Sequence, residues 1–425
     1  MTPKSRTLEV WRGQIFLAAW TLYAGYYICR KDMAETAGGS LSHLAVSLAC
    51  FGLTYAIGQV AGGTLADRYG ARRTALAGAA ISVSCTLLLA WLSRPALALV
   101  LQLGNGLGQG FGWPSLLKLI GASFKRGERD RVLGWWSSSY ILGGLLATSL
   151  TAWLVDHAGF AVQSGIQPAY IVSSAILFCA AVFFYATTRG VPDPLFPSKR
   201  GLSTDSRATQ AHEWSVLLRN RRVQIISCMY FFLKMTRYTL LFWLPHYLIS
   251  GFGYSVHGAE HTASYFEFCG FLGPLAVGYA AQRWFRNRHM ALGASMLFTL
   301  AFVCLLHPML AESGWFGMVV SISLMGILIH GADLLMSGMA VLDAVPERLH
   351  GRATGLVNGF GSIGQVISPL LATIFVARLG WTQLFDLFVF FALIAGSICA
   401  FGAHLTPPLT PPTNRSVLET AEQPL

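Results

Sequence analysis

The stretch GGTLADRYGARR, residues 62–73, lies between two apolar runs. A glycine at 70, the acid–base pair Asp67 and Arg68, and two further arginines at 72 and 73 read as a tight, basic turn joining two helices. The flanking runs, near 42–66 and 74–93, are each long enough to cross a bilayer, which takes roughly 20 apolar residues. Runs of the same kind recur near 13–36, 95–121, 132–157, 168–188, 223–249, 262–282, 289–310, 315–344, 353–379 and 382–405. Composition agrees with that pattern. The 425 residues are 54% hydrophobic and 12% charged, with a mean hydropathy of +0.53, whereas ordinary soluble domains are about 25% charged. The expectation is an all-α membrane protein of twelve transmembrane helices, numbered here in chain order. No small-residue cleavage site follows the first apolar segment, which is expected to be retained as helix 1.

A net charge of +11 would suit a nucleic acid if it clustered on a soluble face, and its distribution excludes that reading. Of 30 Lys and Arg, 23 fall on the tails and on the connections from even to odd helices. Only Arg94 and Arg378 fall on the opposite side, and five lie within helices. By the positive-inside rule the 23-charge side, with both termini, is expected to be cytoplasmic. The partner that this basic excess implies is the lipid bilayer, not nucleic acid. Eight cysteines, Cys29, Cys50, Cys85, Cys179, Cys228, Cys269, Cys304 and Cys399, are scattered singly through apolar segments with no CxxC. That spacing indicates neither disulfides nor a metal site, and buried thiols are expected. No cofactor is implied.

The longest polar interruption, TTRGVPDPLFPSKRGLSTDSRATQAHEW (187–214), separates six helices from six. The expected organisation is an N-terminal tail (1–12), a six-helix bundle (13–188), a cytoplasmic linker (189–222), a second bundle (223–405) and a C-terminal tail (406–425). The bundles echo each other. Tyr23 precedes Arg30 by seven residues, and Tyr230 precedes Arg237 by seven. A degraded copy of the opening stretch, GYAAQRWFRNR (278–288), follows helix 8, while GERDRVLG (127–134) and PERLHGRATG (346–355) precede helices 5 and 11. Parallel six-helix repeats with a site at their interface are a common transporter plan.

Five cations fall inside predicted helices: Arg30, Lys31, Lys118, Lys234 and Arg237. Each would cost roughly 2.5–3.5 kcal/mol at a helix centre unless it faces a wet cavity or a partner. Against them stand three intramembrane acids, Asp32, Glu267 and Asp333. The surplus of positive charge suits a small anionic substrate. Lys31, Lys118 and Lys234 can equally snorkel or pair structurally, a reading strained for Arg237, which has some 12 helical residues on its outer side. Arginine's planar fork grips phosphate or carboxylate bidentately, as an ammonium cannot. One arginine from each half could therefore clamp a single anion, with Lys234 and Arg237, at i and i+3, deepening the positive well.

The region from GGTLADRYGARR, with Gly63, Asp67, Arg68, Gly70 and Arg73, resembles the helix 2–3 loop signature of the major facilitator superfamily. YAGYYICRKD (23–32), GQGFGWPSLLK (108–118), RYTLLFWLPHYL (237–248) and SYFEFCGFLGP (264–274) further resemble its organophosphate:phosphate antiporter family, over about residues 16–405. The resemblance implies exchange of inorganic phosphate for a phosphorylated metabolite at a paired-arginine site. Arg30 and Arg237 match those arginines, and Tyr23 and Tyr27 match aromatic wall positions. Trp113 falls in the Gly-Trp-Pro block of helix 4, Tyr238 in the Arg-Tyr block of helix 7, and Glu267 matches an acid on helix 8. The resemblance also implies that helix 1 continues past Arg30, which hydropathy alone would leave near a boundary. Three positions depart from the family: Gln59 replaces a helix 2 lysine, Tyr140 stands where the glycerol-3-phosphate carrier has a histidine, and Ser362 replaces an aromatic on helix 11. Sugar phosphates, phosphonates and less charged molecules all stay open as substrates.

GNGLGQGFGW (104–113) mimics a phosphate loop but lacks Gly-Lys-Ser/Thr and a preceding strand, so its i, i+4 glycines are expected to pack helices. His330 and Asp333, three apart on helix 10, are either substrate contacts or a structural bridge in which Asp333 neutralises Lys234 or Arg237. Nothing in the chain reads as an enzyme. The expected mechanism is alternating access in a monomer of a bacterial-type inner membrane, with repulsion between empty basic half-sites favouring exchange over leak. Two alternatives remain: a proton-coupled transporter or exporter using Asp333 or Glu267, and a transporter-like sugar-phosphate sensor.

Overall fold

The computed structural model describes residues 3–36, 41–91, 95–157, 167–189, 207–286 and 288–405. Among the described residues there are twelve long helical rods, a shorter linker helix and no strands. Helix 1 is Pro3–Thr36, helix 2 Leu41–Tyr69 and helix 3 Ala71–Leu89. Helix 4 comes in two pieces, Pro95–Gly110 and Gly112–Ser123, followed by helix 5, Arg126–His157, and helix 6, Pro168–Thr188. A linker helix, Arg207–Arg219, leads to helix 7, Arg221–Phe252. Helix 8 is again divided, into Val256–Gly270 and Leu272–Arg283, and helix 9 is His289–Glu312. Helix 10 runs from Trp315 to Ala344 through a π-helical segment, Leu335–Ala340. Helices 11 and 12 are His350–Leu379 and Thr382–Leu405. Six described helices, one of them in the first half, are long and apolar enough to span a membrane by length and composition alone.

Most boundaries follow from local chemistry. Gly70, at φ 95°, makes the turn between helices 2 and 3 in a conformation that side chains with a Cβ avoid. Asn220 caps helix 7, its Oδ1 accepting from the amides of Arg222 (3.0 Å) and Val223 (3.3 Å), and Gly253 ends that helix at φ 68°. The breaks at Phe111 and Phe271 place Pro114 and Pro274 in the first turn of the following piece, where a missing N–H costs no helical bond. Helix 1 is longer than hydropathy indicated, beginning at Pro3, and it carries Arg30 well inside its length. The segment 207–219, read from its polarity as linker, folds as a helix that buries Leu217.

The two halves meet along glycine seams. A Cβ on Gly63 would strike the carbonyl oxygen of Gly351, and one on Gly355 that of Gln59, so helices 2 and 11 pack backbone to backbone. Helices 5 and 8 do the same, a Cβ on Gly134 falling 2.7 Å from the Pro274 oxygen. Within the first half, Gly106 and Gly110 press on helix 2 and Gly108 on helix 3, so GNGLGQGFGW is a packing surface. The eight cysteines form no disulfide. Cys29, Cys304 and Cys399 are buried as expected, but Cys179 and Cys228 are exposed.

Candidate functional site

Arg30 and Arg237 face an aromatic cluster shared by the two halves. The Arg30 guanidinium carbon lies 4.3 Å from the centre of the Tyr27 ring and 4.5 Å from that of Tyr55. Tyr27 meets Tyr140 with ring centres 5.4 Å apart, and the guanidinium carbon of Arg237 lies 5.2 Å from the Tyr140 ring. Two tyrosines in tilted ring contact therefore link the arginines. Lys234 reaches the same place, with Nζ 5.8 Å from the Tyr55 ring and 5.7 Å from Tyr238. Its ammonium donates to Ser362 Oγ at 3.1 Å. Behind this layer Tyr23, Trp113 and Trp136 pack with ring centres 5.0–5.4 Å apart. Such rings present electron-rich faces to cations at modest desolvation cost.

The two arginines have different second partners. Arg30 Nε donates to Gln109 Oε1 at 2.9 Å; Gln109 in turn donates to Asn105 Oδ1 at 3.1 Å, which also accepts from Ser82 Oγ at 2.6 Å. Every member of that chain beyond the guanidinium is neutral. Arg237 instead makes an ion pair with Asp333, Nη1 to Oδ2 at 2.9 Å, and Tyr230 donates its hydroxyl to Asp333 Oδ1 at 2.8 Å. Arg237 and Asp333 are 6% and 3% exposed, which places the pair in a setting where Coulomb attraction is weakly screened. Each arginine keeps one buried nitrogen without a hydrogen-bond partner among the described residues, Nη2 of Arg30 and Nε of Arg237. Tyr140 Oη and both amide atoms of the fully buried Gln59 are likewise unpartnered.

His330 stacks on Tyr140 at 6.1 Å and packs against Phe266 at 5.2 Å, with Nδ1 held 2.8 Å from the Gly326 carbonyl. Glu267, half-buried, sits beside Phe266 on helix 8. Trp113 bridges the halves, its Nε1 donating to the Ser337 carbonyl at 3.4 Å. That carbonyl belongs to the π-helical segment, a geometry that loosens the regular helical ladder. The side chain of Lys31 lies outside the described residues.

Lys118 is not brought to the arginines. Its Nζ sits 2.6 Å from Asp67 Oδ1 at the basic end of the molecule. Asp67 also accepts from the amides of Gly351 (3.0 Å) and Arg352 (2.9 Å), in the first turn of helix 11 in the other half. A carboxylate at a helix N-terminus satisfies orphan donors and opposes the positive end of the helix dipole. Arg352 also pairs with Glu213 of the linker helix. On the other seam, Asp343 takes Arg129 and, at 3.3 Å, Arg126, and His289 sits between Asp130 (3.0 Å) and Asp343 (3.1 Å). Gln282, at the place of Asp67 in the second half, donates to the Gly127 carbonyl. Gly63 and Gly70 serve the seam and the turn. Arg68 lies over the ring of Tyr69 at 5.0 Å, and Arg73 is exposed.

Sequence reasoning passed over Gln109, Asn105, Tyr55 and Trp136. Polar residues inside GNGLGQGFGW were a usable signal for the first two, and the i, i+4 spacing of Tyr55 and Gln59 for the third. Trp136 carries no distinguishing pattern.

The Major Facilitator Superfamily model matches residues 15–332 and 261–424. The glycerol-3-phosphate transporter of Bacillus subtilis (strain 168) is 25% identical over 410 residues, with 90% of each chain covered. The phosphoglycerate transporter protein of Salmonella typhimurium is 25% identical over 417 residues, covering 92% of this chain and 87% of that protein. Among solved structures, the proton:xylose symporter XylE bound to 6-bromo-6-deoxy-D-glucose superposes with a TM-score of 0.72 at 13% identity, over 93% of this chain and 95% of that one. With twelve helical rods in two glycine-seamed halves, an integral multi-pass architecture and these matches, the chain belongs to the major facilitator superfamily and resembles its organophosphate:phosphate antiporters.

Proposed function

We propose that this chain carries a small phosphorylated organic anion across the membrane in exchange for inorganic phosphate, by alternating access, with Arg30 and Arg237 gripping the anion. The observation that supports this most is the convergence of two arginines, at matching places in helices 1 and 7, on one aromatic layer between the halves. Each has a buried nitrogen to offer a phosphoryl oxygen. Lys234 adds a third positive group from the second half, in place of the helix 2 lysine that Gln59 replaces. The names of the relatives point to the same substrate class. In this reading the basic end is cytoplasmic and the protein works as a monomer in a bacterial-type inner membrane. The glycine seams and the Asp67 and Asp343 contacts close that end, and the halves part there to face the other way.

Proteoliposomes loaded with phosphate and given labelled phosphate outside test the proposal. Counterflow is expected, inhibited by glycerol 3-phosphate, hexose phosphates or phosphonates in an order that identifies the substrate. Arg30→Lys and Arg237→Lys should reduce it at least about a hundredfold, as loss of a desolvated bidentate grip on phosphate would. Near-wild-type counterflow in either variant would count against the clamp.

The Asp333–Arg237 pair also favours a second reading, proton-coupled transport in which Asp333 takes up the proton. Uptake that collapses with a protonophore while no phosphate gradient exists would favour it over exchange.

A further inference from the structure

Among the described residues, Asp333 is a buried charged group at the arginine site that the proposed exchange does not require. It is held on two sides from its own half: Arg237 of helix 7 at Oδ2, 2.9 Å away, and Tyr230 of helix 7 at Oδ1, 2.8 Å away. All three residues belong to the second bundle, so the pair does not hold the halves together and is not a gate. It travels with that bundle whichever way the site faces. Asp67 and Asp343 act differently, because each makes contacts across the seam between the bundles. A carboxylate fixed on the substrate-gripping arginine of a carrier does what a bound anion does: it neutralises the cation at close range in a poorly screened place. Arg30, by contrast, has a neutral amide at that position.

We infer that Asp333 is a resident counter-anion for Arg237 that allows the carrier to return empty, so that this chain supports net flux of its anion in addition to exchange. The inference rests on the function proposed above. An exchanger is obligatory when its empty site carries cations that resist being closed in without an anion, since burying an unpaired charge is costly. Here one of the two arginines is already neutralised. The remaining cations, Arg30 and Lys234, both lie near the Tyr55 ring, whose electron-rich face attracts them and offsets part of their desolvation cost. The same geometry makes Asp333 a competitor of the incoming anion for Arg237. The substrate therefore binds by displacing or sharing that contact, and it leaves without stranding the arginine.

The test uses the full-length protein in liposomes loaded with labelled phosphate, with potassium and valinomycin holding the membrane potential at zero. Efflux is followed into medium lacking phosphate, which reads net flux, and into medium containing phosphate, which reads exchange. The wild type should show net flux within about tenfold of exchange, and Asp333→Asn should lower the ratio of net flux to exchange by about tenfold or more. Asp333→Glu, which retains the carboxylate, should hold the ratio near that of the wild type. Vigorous exchange by the wild type with no net flux would overturn the inference while leaving the proposed function standing. An unchanged ratio in Asp333→Asn would remove Asp333 from the explanation. Failure of the wild type to exchange at all would remove the proposed function, and this inference with it. The wild-type ratio decides the matter even where the asparagine variant does not insert.

Discussion

Arg30 and Arg237 are sequence counterparts, yet the two halves treat them differently. Both lie against tyrosine faces and, among the described residues, both keep one unpartnered buried nitrogen. Arg30 leans on Gln109 and a neutral chain ending at Asn105 and Ser82. Arg237 leans on Asp333, itself steadied by Tyr230. Among the described residues no carboxylate pairs with Arg30. The matching position in each half supplies the charge, and the residues around it set how much of that charge is left for a ligand. Arg30 offers its full attraction to an anion, whereas Arg237 offers only what Asp333 yields.

The largest way to break this comparison is to remove each arginine. Arg237→Ala leaves Asp333 buried and unpaired, and should destabilise the protein by about 3–5 kcal/mol. Arg30→Ala leaves only a neutral amide short of one donor, and should cost about 1–3 kcal/mol. Melting of the purified protein in detergent would show the difference, and the double change Arg237→Ala with Asp333→Ala should recover much of the first loss. Equal losses for the two single variants would erase the asymmetry.

The same contrast recurs at the basic end, one step smaller. Asp67 joins Lys118 to the N-terminus of helix 11, whereas its counterpart Gln282 makes a neutral contact. Asp67→Asn should bias the protein away from closure at that end by about 1–3 kcal/mol, and Gln282→Ala by about 0.5–1.5 kcal/mol. Labelling of a cysteine introduced at Ser123, buried at the end of helix 4 beside the basic connection, would report the opening. The first variant should raise labelling more than the second.

The smallest expected effect sharpens the description of the aromatic layer. Tyr55 lies against a cation from each half, so Tyr55→Leu should weaken anion binding by about 0.5–2 kcal/mol, through misplacement of Arg30 and Lys234. Phe51, whose ring centre is farther from Arg30 at 5.6 Å, should matter less when replaced by leucine.

The positions of these helices were largely legible in the sequence, because apolar length and the charge of the connections are local properties. Helices 6, 10 and 12 begin and end where hydropathy placed them. Helix 1 was misjudged at its start because its first turns are polar, and the linker helix was missed because one buried leucine leaves little periodic signal. Arg30, Arg237, Tyr27, Tyr140, Lys234 and Asp333 could be named from charge inside apolar runs and from motif resemblance. Their contacts were legible only in part. Pairing of Asp333 with Lys234 or Arg237 was one of two readings, and Arg237 is the partner found. The contact of Arg30 with Gln109 instead depends on the angle at which helices 1 and 4 are turned. Lys118 shows the limit plainly. It had the same sequence credentials as Lys234, and packing delivered it to Asp67 instead.

The most direct test of the asymmetry is titration of phosphate into the purified protein by calorimetry, comparing wild type, Arg30→Lys and Asp333→Asn. Loss of measurable binding in Arg30→Lys and tighter binding in Asp333→Asn are expected, because one variant removes the uncompensated grip and the other removes a competitor. Unchanged affinity in Asp333→Asn, or wild-type affinity in Arg30→Lys, would contradict it.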